Sequence, residues 1–115
     1  MQIPTIRSLV SPDLPSGDLP PDPDDCFVLI EAEIGAAGLP GADVFSFQVV
    51  TPKYLMRESL PRWGRGLLIV PQFTWPAVET SLQKLLMHAT GPNWSAVAAE
   101  LAKELHWEFE HYSAP

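Results

Sequence analysis

The chain is short of cysteine, of cationic side chains and of long apolar runs, and each shortage removes a class of function. A single cysteine, Cys26, allows no disulfide framework, so the stability of the fold must come from its core. Cys26 opens an apolar run and reads as a small buried hydrophobe, a reactive thiol being the alternative. Seven Lys and Arg stand against fourteen Asp and Glu, a net charge of −7 at pH 7, whereas a nucleic-acid binder needs cations to replace phosphate counterions. No apolar stretch approaches the ~20 residues of a membrane span. The start MQIPTIRSLV also lacks a basic segment followed by a long apolar one, so the expected compartment is the cytoplasm. No GxGxxG or GxxxxGK[ST] is present, so no phosphate cradle is legible and no cofactor is expected.

What is present fits one domain: 115 residues, 46% hydrophobic and 18% charged, with the apolar residues clustered rather than spread. The charge is uneven. Residues 1–43 hold eight acids (Asp13, Asp18, Asp22, Asp24, Asp25, Glu31, Glu33 and Asp43) against Arg7 alone, which gives −7; residues 44–115 hold six acids and six bases and cancel. The whole excess lies in the N-terminal third. Gathered on one side by folding, it would attract a basic partner and speed its association.

Along the chain, Ile3 to Val10 reads as a first strand, with Pro4 pointing to a sheet edge or a bulge. Residues 11–25, SPDLPSGDLPPDPDD, hold five prolines and five aspartates and form a surface loop, ordered by proline though not regular. Cys26 to Ile34 alternates, with Val28, Ile30, Ala32 and Ile34 on one side and Glu31 and Glu33 on the other. Val44 to Thr51 alternates likewise, and the two strands are expected to pair antiparallel. Thr51-Pro52 is a helix-start signal for a short helix through Tyr54, Leu55 and Arg57. The run LLIVPQF predicts a central strand buried on both faces. Thr74 to Thr90 carries a helical stripe of Val78, Leu82, Leu85, Leu86 and Ala89, and Trp94 to Leu105 repeats it with Val97, Ala98, Leu101 and Ala102. WEFEHY, Trp107 to Tyr112, alternates again and predicts a closing strand. The fold class is α+β: an antiparallel or mixed sheet of about five strands, two C-terminal amphipathic helices on one face, and a short helix after the third strand.

Few residues invite chemistry. Asp22-Pro23-Asp24-Asp25 lacks the spaced ligands, glycine and terminal Glu of a calcium loop and reads as a solvated acidic loop. Glu108 and Glu110, two apart on the expected last strand, would place both carboxylates on one side, a spacing of interest for acid–base work but also the ordinary wet face of a half-buried sheet. His88, His106 and His111 match no zinc motif, and no metal site is expected. Trp94 and Trp107 fall on core positions. Trp63, between Arg62 and Arg65, is either an interface residue or a plug under the sheet.

Taken in order, DPDDCFVLIEAEIG, GADVFSFQVVTPKYL, NWSAVAAEL and WEFEHY resemble the Immunity protein 8 family of bacterial polymorphic toxin systems and cover most of residues 20–112. The resemblance implies a non-enzymatic immunity protein of contact-dependent inhibition, kept in the producing cell, which binds the C-terminal domain of a cognate toxin and blocks it. The acid-rich third suits a basic toxin, a nuclease among others. Asp22, Asp24, Asp25, Glu31 and Glu33 are the leading contact candidates, Glu108 and Glu110 come second, and Trp63 is a further one. The rival readings are a small hydrolase using Glu108 and Glu110, and a structural subunit of a larger assembly.

Overall fold

The computed structural model describes residues 1–110. In chain order the elements are β1 (Pro4–Val10), β2 (Phe27–Ala36), β3 (Asp43–Val50), α1 (Pro52–Glu58), β4 (Leu67–Ile69), α2 (Trp75–Met87), α3 (Trp94–Leu101) and β5 (His106–Trp107). Alternation along β2 and β3 sets their antiparallel register: Ile30 faces Phe47, Ala32 faces Phe45, and Glu31 faces Ser46. A one-residue slip would turn every apolar side chain to the wrong side, so the pattern fixes the pairing. β1 adds to the other side of β2, also antiparallel, with a bulge between Ile6 and Ser8. The bulge brings Leu9 opposite Ala32 and keeps it on the core side, and Arg7 there donates to the carbonyls of Ala36 (2.7 Å) and Leu39 (2.6 Å), closing the turn after β2. The proline and the edge position agree with the reading of the sequence.

The far edge of β3 is shared by two short strands. Gln48, Val49 and Val50 pair in parallel with Leu67, Leu68 and Ile69 of β4, while Phe45 and Ser46 pair antiparallel with Trp107 and His106 of β5. The sheet is therefore mixed. Its core side is closed by Val78, Leu82 and Leu86 of α2 and Val97, Ala98 and Leu101 of α3, which pack with Ile30, Ile34, Phe45 and Val49 in one cluster. Each such leucine or isoleucine contributes about 1.5–3 kcal/mol by leaving water. Thr51, Thr74 and Asn93 cap the three helices, accepting from the amides of Tyr54, Ala77 and Ala96.

Residues 11–25 form a strap. Leu14 and Pro20 are buried, Ser11 Oγ donates to the Leu29 carbonyl at 2.6 Å, and Asp13 takes the Leu29 amide at 2.9 Å where β1 has ended. The strap is held farther along by the Trp75 indole N–H on the Asp18 carbonyl and the Phe73 amide on the Pro23 carbonyl. A short 3-10 turn at Pro15–Gly17 is the only regular structure within it.

Two expectations need correcting. LLIVPQF is not a central strand: β4 is three residues long, lies at the edge, and leaves Ile69 58% exposed. Pro71 has no amide to continue a ladder, and the apolar character of the run serves Val70 and Phe73, which are buried beyond the strand. Nor does WEFEHY make a six-residue strand. Pairing stops after Trp107, the Glu110 amide turns back to the Trp107 carbonyl, and the Glu108 carboxylate takes the Val44 amide (3.1 Å) that a further strand residue would have used. His111 and Tyr112 lie outside the described residues. α3 also ends at Leu101, four residues before Leu105, which is nonetheless buried.

Candidate partner-binding face

Both helices with buried stripes lie on one side of the sheet, so among the described residues the opposite side has no covering helix except α1 at one end. Its floor follows from register. Val10, Glu31, Ser46 and His106 stand in one row across four strands; Ser8, Glu33 and Val44 stand in the next, with the Glu108 amide on the Val44 carbonyl. Leu29 and Gln48 form a third row. Glu31 and Glu33 thus project together from the middle of this face, about 6–7 Å apart along β2. At the end of the face, Phe27 stacks on Tyr54 of α1 with ring centroids 5.1 Å apart, and the Arg62 guanidinium sits over the Phe27 ring, 5.2 Å from its centroid.

Of the acids singled out in the sequence, most are engaged within the protein. Asp22 accepts from the Asp24 amide and Asp24 from the Gln72 side chain, both at 3.0 Å. Asp25 holds Arg57 with two hydrogen bonds, Nε to Oδ2 at 3.1 Å and Nη2 to Oδ1 at 3.0 Å. Glu108 satisfies Val44, and Glu110 meets Arg65 and His106. Burial opposes ionisation of Glu110, but hydrogen bonds from Arg65 and His106 and their charges outweigh it and hold the carboxyl below its usual range. Among the seven, only the carboxylates of Glu31 and Glu33 make no hydrogen bond or ion pair within the described residues. Glu108 and Glu110 lie beyond the two-residue β5, each on its own partners, so the shared strand face from which the hydrolase reading started is not formed.

Arg65 figures in the sequence only as a neighbour of Trp63, and its role as a tie is not legible there. It donates to the carbonyls of Ala102 (2.8 Å) and Leu105 (3.0 Å) and to Glu110, tying the turn before β4 to the end of α3. His106 packs against Gly66, where a Cβ would collide with the ring and φ is +79°. Asp43 was also missed as a core organiser: its Oδ2 accepts the indole N–H of both Trp94 (2.8 Å) and Trp107 (3.0 Å). Only the bare presence of these residue types could have hinted at either cluster.

The family model described as Immunity protein 8 matches residues 5–112. The chain belongs to the Immunity protein 8 family. No curated protein and no solved structure gives a significant match. For an Immunity protein 8 member the relevant feature is a surface able to receive a cognate toxin, and the uncovered sheet face is the candidate. Among the described residues no group of three or more His, Cys, Asp and Glu side chains could hold a metal ion, and no helix is long and apolar enough to cross a membrane. His88 ends α2 in solvent, and Cys26 is buried, its thiol pushed up first by burial and then by Asp22, Asp25 and Asp24, which suits the inert reading. Trp63 is no plug: it is 94% exposed. A groove of about 270 Å³ beside β4, lined by Phe47, Leu68, Leu82, Leu85 and Leu105, holds none of the candidate contact residues.

Proposed function

We propose that this protein neutralises a cognate toxin by stoichiometric binding in the cytoplasm of the producing cell, and that the uncovered face of the sheet, centred on Glu31 and Glu33, receives a basic patch of the toxin's C-terminal domain. Family membership supports the immunity role. The observation that carries the choice of surface is a pair of carboxylates that, among the described residues, have no internal partner and stand on a sheet face with no covering layer. Acids already satisfied inside a protein gain little from a partner, whereas free carboxylates close together form a local negative field that steers a cationic surface and pairs with it on contact. Asp22, Asp24 and Asp25 add to that field from the strap but hold their own turn and α1 as well, so they serve as its outskirts. A nuclease is a natural toxin for such an inhibitor, because its phosphate-binding cleft is cationic.

The test is the double reversal Glu31→Lys/Glu33→Lys, measured by stopped-flow association with the C-terminal domain of the toxin encoded beside this protein. The expected result is at least a ten-fold slower association and a flatter dependence on ionic strength. An unchanged rate and salt slope would remove this face from the mechanism.

A further inference from the structure

We infer that the segment from Pro52 to Arg65, comprising α1 and the loop before β4, is an anchoring arm whose exposed Met56, Leu60 and Trp63 seat in an apolar socket on the toxin, beside the contact made by Glu31 and Glu33. The inference rests on the toxin-binding reading and assigns to that complex a second contact of different chemistry. Nothing between Pro52 and Arg65 is buried, and α1 places no residue in the core. A seven-residue helix without a buried stripe is marginal by itself, since most helical stability in proteins comes from packing an apolar face. The segment is nevertheless held along its length. Thr51 caps it, Arg57 is clamped by Asp25, Tyr54 and Arg62 both rest on Phe27, and Arg65 is fastened to the end of α3. Its charged residues and Tyr54 do the fastening, and Met56, Leu60 and Trp63 are left outside.

Met56 is 80% exposed, Leu60 74% and Trp63 94%. Single apolar residues on a surface are ordinary. Three large ones within eight residues, with the tryptophan flanked by Arg62 and followed closely by Arg65, have the Trp, Met and Arg composition that interface centres favour. The arm is also continuous with the acidic face, for Phe27 lies on the same side of β2 as Glu31, about 13 Å along the strand.

Charge identifies the occupant. Residues 52–65 carry four bases (Lys53, Arg57, Arg62 and Arg65) and one acid, Glu58, a net +3. Asp25 and Glu110 answer Arg57 and Arg65, while Lys53 and Arg62 make no ion pair among the described residues. The surface that fits is therefore apolar with an acidic or carbonyl-rich edge where it meets the arm, and basic where it meets Glu31 and Glu33. A two-fold pairing of arms from two copies would set these cations against each other. A toxin domain carrying both patches closes the contact in a one-to-one complex.

Steering charges act mainly on association and buried apolar anchors mainly on dissociation, which separates the two contacts experimentally. Binding of the same toxin domain is measured for Trp63→Ala, for Met56→Ser/Leu60→Ser and for Trp63→Phe. Dissociation is expected to accelerate at least ten-fold in the first two, with association and its salt slope within two-fold of the parent, and Trp63→Phe is expected to recover most of the loss. Because all three positions are exposed, the thermal midpoints should stay with that of the parent, which reports that the variants fold. Unchanged dissociation in both Trp63→Ala and the double variant overturns the arm while leaving the toxin-binding reading intact. Concentration-dependent self-association of the free protein, abolished by Trp63→Ala, would assign the arm to a second copy and overturn it too. Absence of any complex with the parent protein ends the functional reading itself, and the arm with it.

Discussion

Thr51 shows how much one side chain can join. It is fully buried, and its Oγ1 accepts from the Cys26 amide at 3.1 Å as well as from the Tyr54 amide at 3.4 Å, so one oxygen ties the start of β2 to the first turn of α1. Replacing it with valine keeps the shape and strands both donors, one of them in the interior. Thr51→Val should lower the unfolding free energy by about 2–3 kcal/mol, measured by urea denaturation, and Thr51→Ser should retain most of it. The capping half of this role was legible in the Thr-Pro pair. The half that reaches Cys26 was not, because it depends on which strand end folds beside it.

At the scale of elements, the legible parts were those whose periodicity is sustained. The stripes of α2 and α3 and the alternation of β2 and β3 recur often enough to fix both type and buried side. The short pieces misled for a common reason: an apolar or alternating run does not say what will occupy the neighbouring ladder position. LLIVPQF met a proline at the edge, and WEFEHY met its own Glu108 carboxylate in the place of a strand carbonyl. The same junction yields a pH prediction. The Glu110 carboxyl is depressed in the folded protein, so its contact with Arg65 and His106 contributes stability above the unfolded pKa, near ~4.3, and this is lost as pH falls through the lower folded value. Glu110→Gln should therefore be less stable than the parent at pH 7, and the gap should narrow as both are titrated below about pH 4 in parallel denaturation curves.

The whole molecule combines a charge gradient with a single covered side. All of the acidic excess belongs to β1, the strap, β2 and the first residue of β3, and the sole base among them, Arg7, is spent on closing a turn. Composition disclosed the gradient, but only the folded arrangement separates the acids whose carboxylates bond inside the protein from Asp18, Glu31 and Glu33, which make no such bond among the described residues, and of these three only Glu31 and Glu33 share a strand face. Holding Glu31 and Glu33 next to each other has a cost in the unbound state, because like charges on one strand face repel. Glu31→Gln/Glu33→Gln should raise the stability of the free protein by about 0.5 kcal/mol at low salt, by chemical denaturation, while weakening its grip on the toxin. A gain in stability without loss of neutralisation would mean that the pair is kept for something other than binding.

Three of the four tryptophans have their indole N–H fastened internally, Trp75 on the Asp18 carbonyl and Trp94 and Trp107 on Asp43. Trp63 stands almost wholly in water. The chain thus carries its own optical reporter: iodide reaches one fluorophore far more readily than the others, and the quenchable part of the emission follows the fate of a single side chain.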